Sequence, residues 1–137
     1  MGQQQLLLII LGVIIVGIAV AVGITMFQDN AVSSNRDAVI NDLMHFAAKA
    51  KHFYNRPTSM GGGGHSFTGL TANAAGMLVL VSTNYSDNSN GTYTISVAGD
   101  ANSVQFQAVG KTQLADGTYP THTCTVTSYG QTIAQVH

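Results

Sequence analysis

Residues 6–24, LLLIILGVIIVGIAVAVGI, form an unbroken run of nineteen apolar residues, and no charge appears before Asp29. As a helix rising 1.5 Å per residue, this run is about 28 Å long, close to the ~30 Å hydrocarbon thickness of a bilayer. The pattern predicts a hydrophobic stem helix over 1–28, suited to spanning a membrane or to forming the core of a filament. The period then changes. Val32, Arg36, Val39, Leu43, Phe46, Ala50 and Phe53 follow one another at spacings of three and four, with only Arg36 interrupting the apolar stripe. This is the signature of an amphipathic helix, here over 29–56, that lays one face on a partner surface. Asp29, Asp37 and Asp42 come early in it and Lys49, Lys51 and Arg56 late, which complements the helix dipole. Pro57 biases Arg56 away from helical geometry and should end the segment. Stem and amphipathic segment together predict one helix over about 2–55, roughly 80 Å long.

Residues 57–75 read as a connecting loop. Its run Gly61-Gly62-Gly63-Gly64 lacks the preceding strand, following helix and Lys of a phosphate-cradling loop, and is expected to be flexible or draped on the surface. From residue 76 to 137 the period is two, and short strands are predicted over 77–83, 92–97, 104–109, 121–128 and 131–136. Asp87-Asn88-Ser89-Asn90-Gly91, Gly99-Asp100-Ala101-Asn102, Asp116-Gly117 and Tyr129-Gly130 supply the turns. Connections this short favour antiparallel neighbours. The expected fold is α+β, a long N-terminal hydrophobic and amphipathic helix packed on a small antiparallel sheet. Val39, Leu43, Phe46, Ala50 and Phe53 should form the core of the head against that sheet.

Composition narrows the function. Only 8% of residues are charged, about a third of the usual share, and the formal net charge is −1. Nothing here favours nucleic acid as a partner. The Ser, Thr, Asn and Gly of the second half suit an extracellular surface that meets other protein surfaces. Cys124 stands alone in alternating context, so no intrachain disulfide is available and an inert, buried thiol is expected. His45 and His52 share a helical face but lie two turns, about 10 Å, apart, too far to hold one metal. His65, His122 and His137 follow no pattern, so no metal site and no cofactor are expected. No nucleophile–base–acid arrangement is visible, and with no Glu in the chain paired carboxylates are scarce. The chain is expected not to be an enzyme. The loop at 87–91 offers a single carboxylate, too little for a strong calcium site. Asn84-Tyr85-Ser86 and Asn90-Gly91-Thr92 match the N-glycosylation sequon, making Asn84 and Asn90 candidate glycan sites. Phe27, Phe46, Phe53 and Tyr54 are the aromatics of the predicted helix, and core packing accounts for Phe46 and Phe53 without electron transport.

In this order of parts the chain resembles a type IV pilin subunit in its mature form. The resemblance covers the whole chain in architecture and is specific over about the first 30 residues. No Lys or Arg precedes Arg36, so the stem lacks both a signal-peptide n-region and a basic cytoplasmic flank. The resemblance implies that a basic leader is removed by a prepilin peptidase, leaving Met1 as the processed, N-methylated residue. Pilins usually carry Glu at mature position five, where this chain has Gln5, preceded by Gln3 and Gln4. Amides at these three positions are expected to make the N-terminal assembly contacts by accepting hydrogen bonds from a neighbour's amine, without neutralising it. The disulfide common at the end of pilin heads is absent, as is the proline of the mid-stem bend. Leu8, Gly12, Ile15, Val16, Gly17 and Gly23 are the expected stem-packing positions.

The function implied is that of a structural subunit of an extracellular helical filament. Its stem waits in the inner membrane among lipid, is extracted by pilus assembly machinery, and then packs against identical subunits. The alternatives are a secretion-system pseudopilin and a monomeric, single-pass membrane-anchored β-domain.

Overall fold

The computed structural model describes residues 2–136. Its first element, α1, is one uninterrupted α-helix, Gly2–Asn55, of 54 residues. No proline lies within it, and long aliphatic side chains fill its first half. It ends where expected. The Arg56 amide still donates to His52 O (3.1 Å), and Pro57, which has no amide hydrogen, cannot continue the ladder.

The glycine run beyond Pro57 folds back as a cap on α1. The Gly63 amide donates to Phe53 O (2.8 Å), Gly64 to Arg56 O (2.9 Å) and His65 to Tyr54 O (2.8 Å), so carbonyls left open at the helix end are satisfied. Gly64 sits at φ 57, and a Cβ on Gly63 would lie 1.8 Å from Ser66 O. Glycine is needed here for close approach and left-handed backbone, and the loop is of the draped kind.

The predicted first strand, 77–83, is a correction. The chain forms α2, Ala74–Leu80, and α3, Thr83–Ser86, in its place. Asn73 caps α2 by accepting a hydrogen bond from the Gly76 amide (3.0 Å). Met77 and Val81 face the core while Leu78 and Val79 between them are exposed, an i, i+4 pattern that the alternating reading missed.

The remaining four predicted strands are present as β1 Gly91–Val97, β2 Ser103–Gly110, β3 Thr121–Thr127 and β4 Gln131–Gln135. They form one antiparallel meander in the order β1-β2-β3-β4. Ile95 pairs with Phe106, Phe106 with Cys124 and Cys124 with Ile133, so one row of residues runs across the sheet towards α1. A bulge between Ile95 and Val97 shifts the register of β1. Tyr93, Ile95, Val104, Phe106, Ala108, Cys124 and Val126 meet Val39, Leu43, Phe46, Ala47, Ala50 and Phe53 of α1 in a single core, which Phe67, Leu70 and Met77 close on one side. The architecture is a long apolar N-terminal helix packed on a small four-stranded antiparallel sheet, an α+β fold.

Candidate functional site

The large aliphatic side chains of the first half of α1 are exposed. Leu8, Ile15 and Val16 are 69%, 57% and 61% exposed, and the aliphatic side chains from Leu6 to Ile24 are open on every side of the helix. Soluble monomers rarely expose a contiguous apolar patch above a few hundred Å², so this rod is built to be covered. The segment is long and apolar enough to cross a membrane.

Gly12, Gly17 and Gly23 lie in ordinary helix, and a Cβ on any of them would meet nothing within 4 Å. Elsewhere the fold itself demands glycine. A Cβ on Gly76 would lie 2.0 Å from Thr71 O, and one on Gly99 would lie 2.1 Å from Phe67 O. The stem glycines have no such intrachain reason, although each costs a helix about 1 kcal/mol relative to Ala. At 100° per residue, Gly12 and Gly23 share a face while Gly17 lies roughly 140° round the helix, so the small residues open more than one side to a neighbour. Gln3, Gln4 and Gln5 occupy the exposed first turn of α1. Met1 lies outside the described residues.

In the second half of α1 the side chains have intrachain duties. Val39, Leu43, Phe46 and Ala50 are at most 1% exposed and Phe53 8%. The Phe46 ring meets Tyr93 edge-on, with centroids 4.7 Å apart. Above that pair sits a clasp that periodicity could not disclose. Asp42 Oδ2 accepts hydrogen bonds from Tyr93 Oη (2.6 Å), Asn88 Nδ2 (3.0 Å) and Asn90 Nδ2 (3.0 Å), tying the helix to the entry of β1. Partial burial pushes the Asp42 carboxyl upward, but these donors outweigh it and hold the group below the usual carboxylate range. Burial first, and then the hydrogen bond to Asp42 and its charge, raise the Tyr93 phenol above its ordinary value.

His122 is the second feature that sequence reasoning missed as a special position. It points inward from β3, is 2% exposed, and neither ring nitrogen has a hydrogen-bond partner. Burial and, secondarily, the Arg36 charge hold its pKa below the ordinary value. Alternation with Cys124 and Val126 was the signal that would have placed it inside. Cys124 is buried, and desolvation pushes its thiol up to about 11, away from the reactive thiolate.

The candidate glycan sites differ from each other. Asn84 is exposed on α3, whereas the Asn90 side-chain nitrogen is spent on Asp42 and its residue is half-buried. Asp87 pairs with Lys111 Nζ at 2.7 Å and accepts from Thr92 at 3.1 Å, so the carboxylate of the 87–91 loop is already engaged. His45 and His52 are both exposed. Among the described residues no group of three or more His, Cys, Asp or Glu side chains converges on a point where a metal would sit.

No protein-family model matches the chain, and neither the curated proteins nor the solved structures compared with it give a significant match.

Proposed function

We propose that this protein is the structural subunit of an extracellular, type IV pilus-like helical filament that polymerises through its N-terminal helix. The observation that carries the reading is the stem. It is a continuous apolar rod, exposed all round, with three glycines that its own fold does not need, rigidly continuous with a helix that backs a polar head. Lipid covers such a rod before assembly, in the inner membrane, and identical stems cover it afterwards. Contacts between parallel stems are heterologous, so they propagate into a fibre instead of closing. Small residues let the backbones approach, as in membrane helix pairs. On the same reading Met1 is the N-methylated terminus left by a prepilin peptidase, and Gln3, Gln4 and Gln5 are the amides nearest to it.

The test is Ile15→Asp. A charge in the middle of a dry bundle has no water and no partner, a cost of several kcal/mol per subunit. Electron microscopy of sheared cell-surface material should show long fibres from the native chain and none from Ile15→Asp, with the head of the variant melting normally. Normal fibres from the variant would mean that the stem is not the polymer core.

A further inference from the structure

His45, Lys49, His52 and Arg56 follow one another at spacings of four, three and four on α1. At 100° per residue they fall within an arc of roughly 60°, a single stripe on the helix. The stripe is one wall of a shallow groove. Val79 and Leu80 of α2 form the other wall, Tyr85 stands at one end, and Met60 at the other. Among the described residues no carboxylate lines this groove. Nearby, Lys111 is committed to Asp87, and Asp42 to Tyr93, Asn88 and Asn90, while the remaining cations of α1, Arg36 and Lys51, lie on other faces of the helix. Lys49 and Arg56 have no ion-pair partner among the described residues.

Two acids are equally unpaired. Asp29 and Asp37 are exposed on the earlier part of α1 and make no ion pair among the described residues, and Arg36, which lies between them in sequence, is half-buried. They lie on average roughly 130° round the helix from the basic stripe and about 26 Å lower along its axis. One rod thus carries a cationic groove on one face and an anionic shoulder on another, at different heights. Two such rods cannot satisfy both patches by a two-fold pairing at one level. Parallel copies staggered by about 26 Å can, and each then leaves a groove and a shoulder free for the next copy.

We propose that the groove lined by His45, Lys49, His52 and Arg56 is a docking site for the Asp29–Asp37 shoulder of a second copy of this chain. The contact sets stagger and direction, while the apolar stem supplies cohesion. It rests on the filament reading for its parallel geometry, and it is detectable without fibres.

The experiment uses the full chain in cells, carrying both Arg56→Cys and Asp37→Cys. Within one chain these positions are nineteen residues, about 28 Å, apart, beyond the roughly 7 Å reach of a disulfide but within about 3 Å of the proposed stagger, and the buried native Cys124 is silent. Mild oxidation of membranes or of sheared fibres should yield a ladder of dimers, trimers and longer species, which neither single-cysteine chain yields. Monomers alone, or dimers without higher species, overturn the proposal. In parallel, Lys49→Asp with Arg56→Asp should lower fibre yield about tenfold, and adding Asp29→Lys with Asp37→Lys should recover most of it. Undiminished yield from the first pair of reversals, or no recovery from the four combined, also overturns it. Failure of the filament reading looks different: the native chain gives no fibres at all. A ladder from membranes of such cells would still establish the contact.

Discussion

At the scale of single residues, the head is held by one apolar row and poised by two polar groups beside it, a buried His122 and a half-buried Asp42. Phe46 is 1% exposed and packs edge-on against Tyr93. Phe46→Ala should therefore destabilise the head by about 3–5 kcal/mol in denaturant titration, the usual cost of emptying a buried aromatic site. His122 and Asp42 make the head sensitive to acid in separate windows. A buried imidazole held below its ordinary pKa of 6.5 is neutral in the fold, so the unfolded chain takes up the proton first as pH falls. The contribution of His122 is thus complete above about pH 6.5 and is lost below it. Asp42 is depressed below 3.8, so its share is complete above that value and is lost as pH falls through the lower, folded one. In detergent the native chain should be less stable at pH 5 than at pH 7.5, and His122→Leu should flatten that difference while leaving the loss below pH 4 in place. An unchanged slope between pH 7.5 and 5 in His122→Leu would show that another group titrates there. Neither residue announced this role in the sequence. The partners of Asp42 lie 46, 48 and 51 residues away, a separation at which no local pattern operates.

At the scale of elements, what was legible in the sequence was what hydrophobic period encodes strongly. α1 is legible because its apolar run and its stripe of threes and fours extend from Leu6 to Phe53, and β1 to β4 because alternation is bounded by turn residues. The segment 77–83 was not. Met-Leu-Val-Leu-Val is short and wholly apolar, so its period does not discriminate, and the deciding signals were Asn73 as a cap and two alanines after it. For the connecting loop, composition left the flexible and the surface-draped forms both open. Composition shows that a glycine run can bend, but the reason it holds one shape is the set of open carbonyls at the end of α1. Gly63→Ala tests this directly. Its Cβ would meet the Ser66 carbonyl oxygen at 1.8 Å, a backbone clash that no rotamer relieves. Thermal unfolding should show a loss of about 1–3 kcal/mol, with faster amide exchange in the last turn of α1. Gly130→Ala, where a Cβ meets nothing within 4 Å, should stay within about 0.5 kcal/mol of the native chain and serves as the control. Equal loss in both variants would refute the capping account. For the proposed assembly surface, exposure of the stem was implicit in its composition, and the proposed pairing of the basic groove with the acidic shoulder was implicit in helical angles. The apolar wall of that groove was not, because it belongs to the misread α2.

At the scale of the whole molecule, one helix has two employers. In the proposed filament its first half must satisfy a bundle of stems and its second half a shell of heads, and in the isolated chain Gly2–Asn55 joins them as a single rod. A rigid rod imposes one axial repeat on both. The repeat that best packs apolar stems has no reason to equal the one that best pairs charges and polar surfaces between heads. A break in the rod removes the conflict. Extended chain reaches about 3.3–3.6 Å per residue against 1.5 Å in a helix, so a few unwound residues let a head slide several ångströms relative to its stem. The weakest stretch lies between Gly12 and Gly23, where three glycines together lower helix stability by about 3 kcal/mol relative to Ala. Against this stands the cost of open backbone groups in apolar surroundings, which is several kcal/mol for each one left without a partner. Among the described residues of this stretch no side chain replaces a backbone bond, although Thr25 Oγ1 donates to Val22 O at 2.8 Å just beyond it. The balance therefore tips only where neighbouring stems contribute acceptors and donors, that is, in the filament and not in the membrane. We expect the assembled subunit to depart from regular helix between residues 12 and 23, centred on Gly17. A density map of the fibre, or amide exchange faster at 14–20 in fibres than in micelles, would register it. An unbroken ladder of backbone bonds from residue 8 to 27 in the fibre would refute the expectation and leave the heads to follow the repeat of the stems.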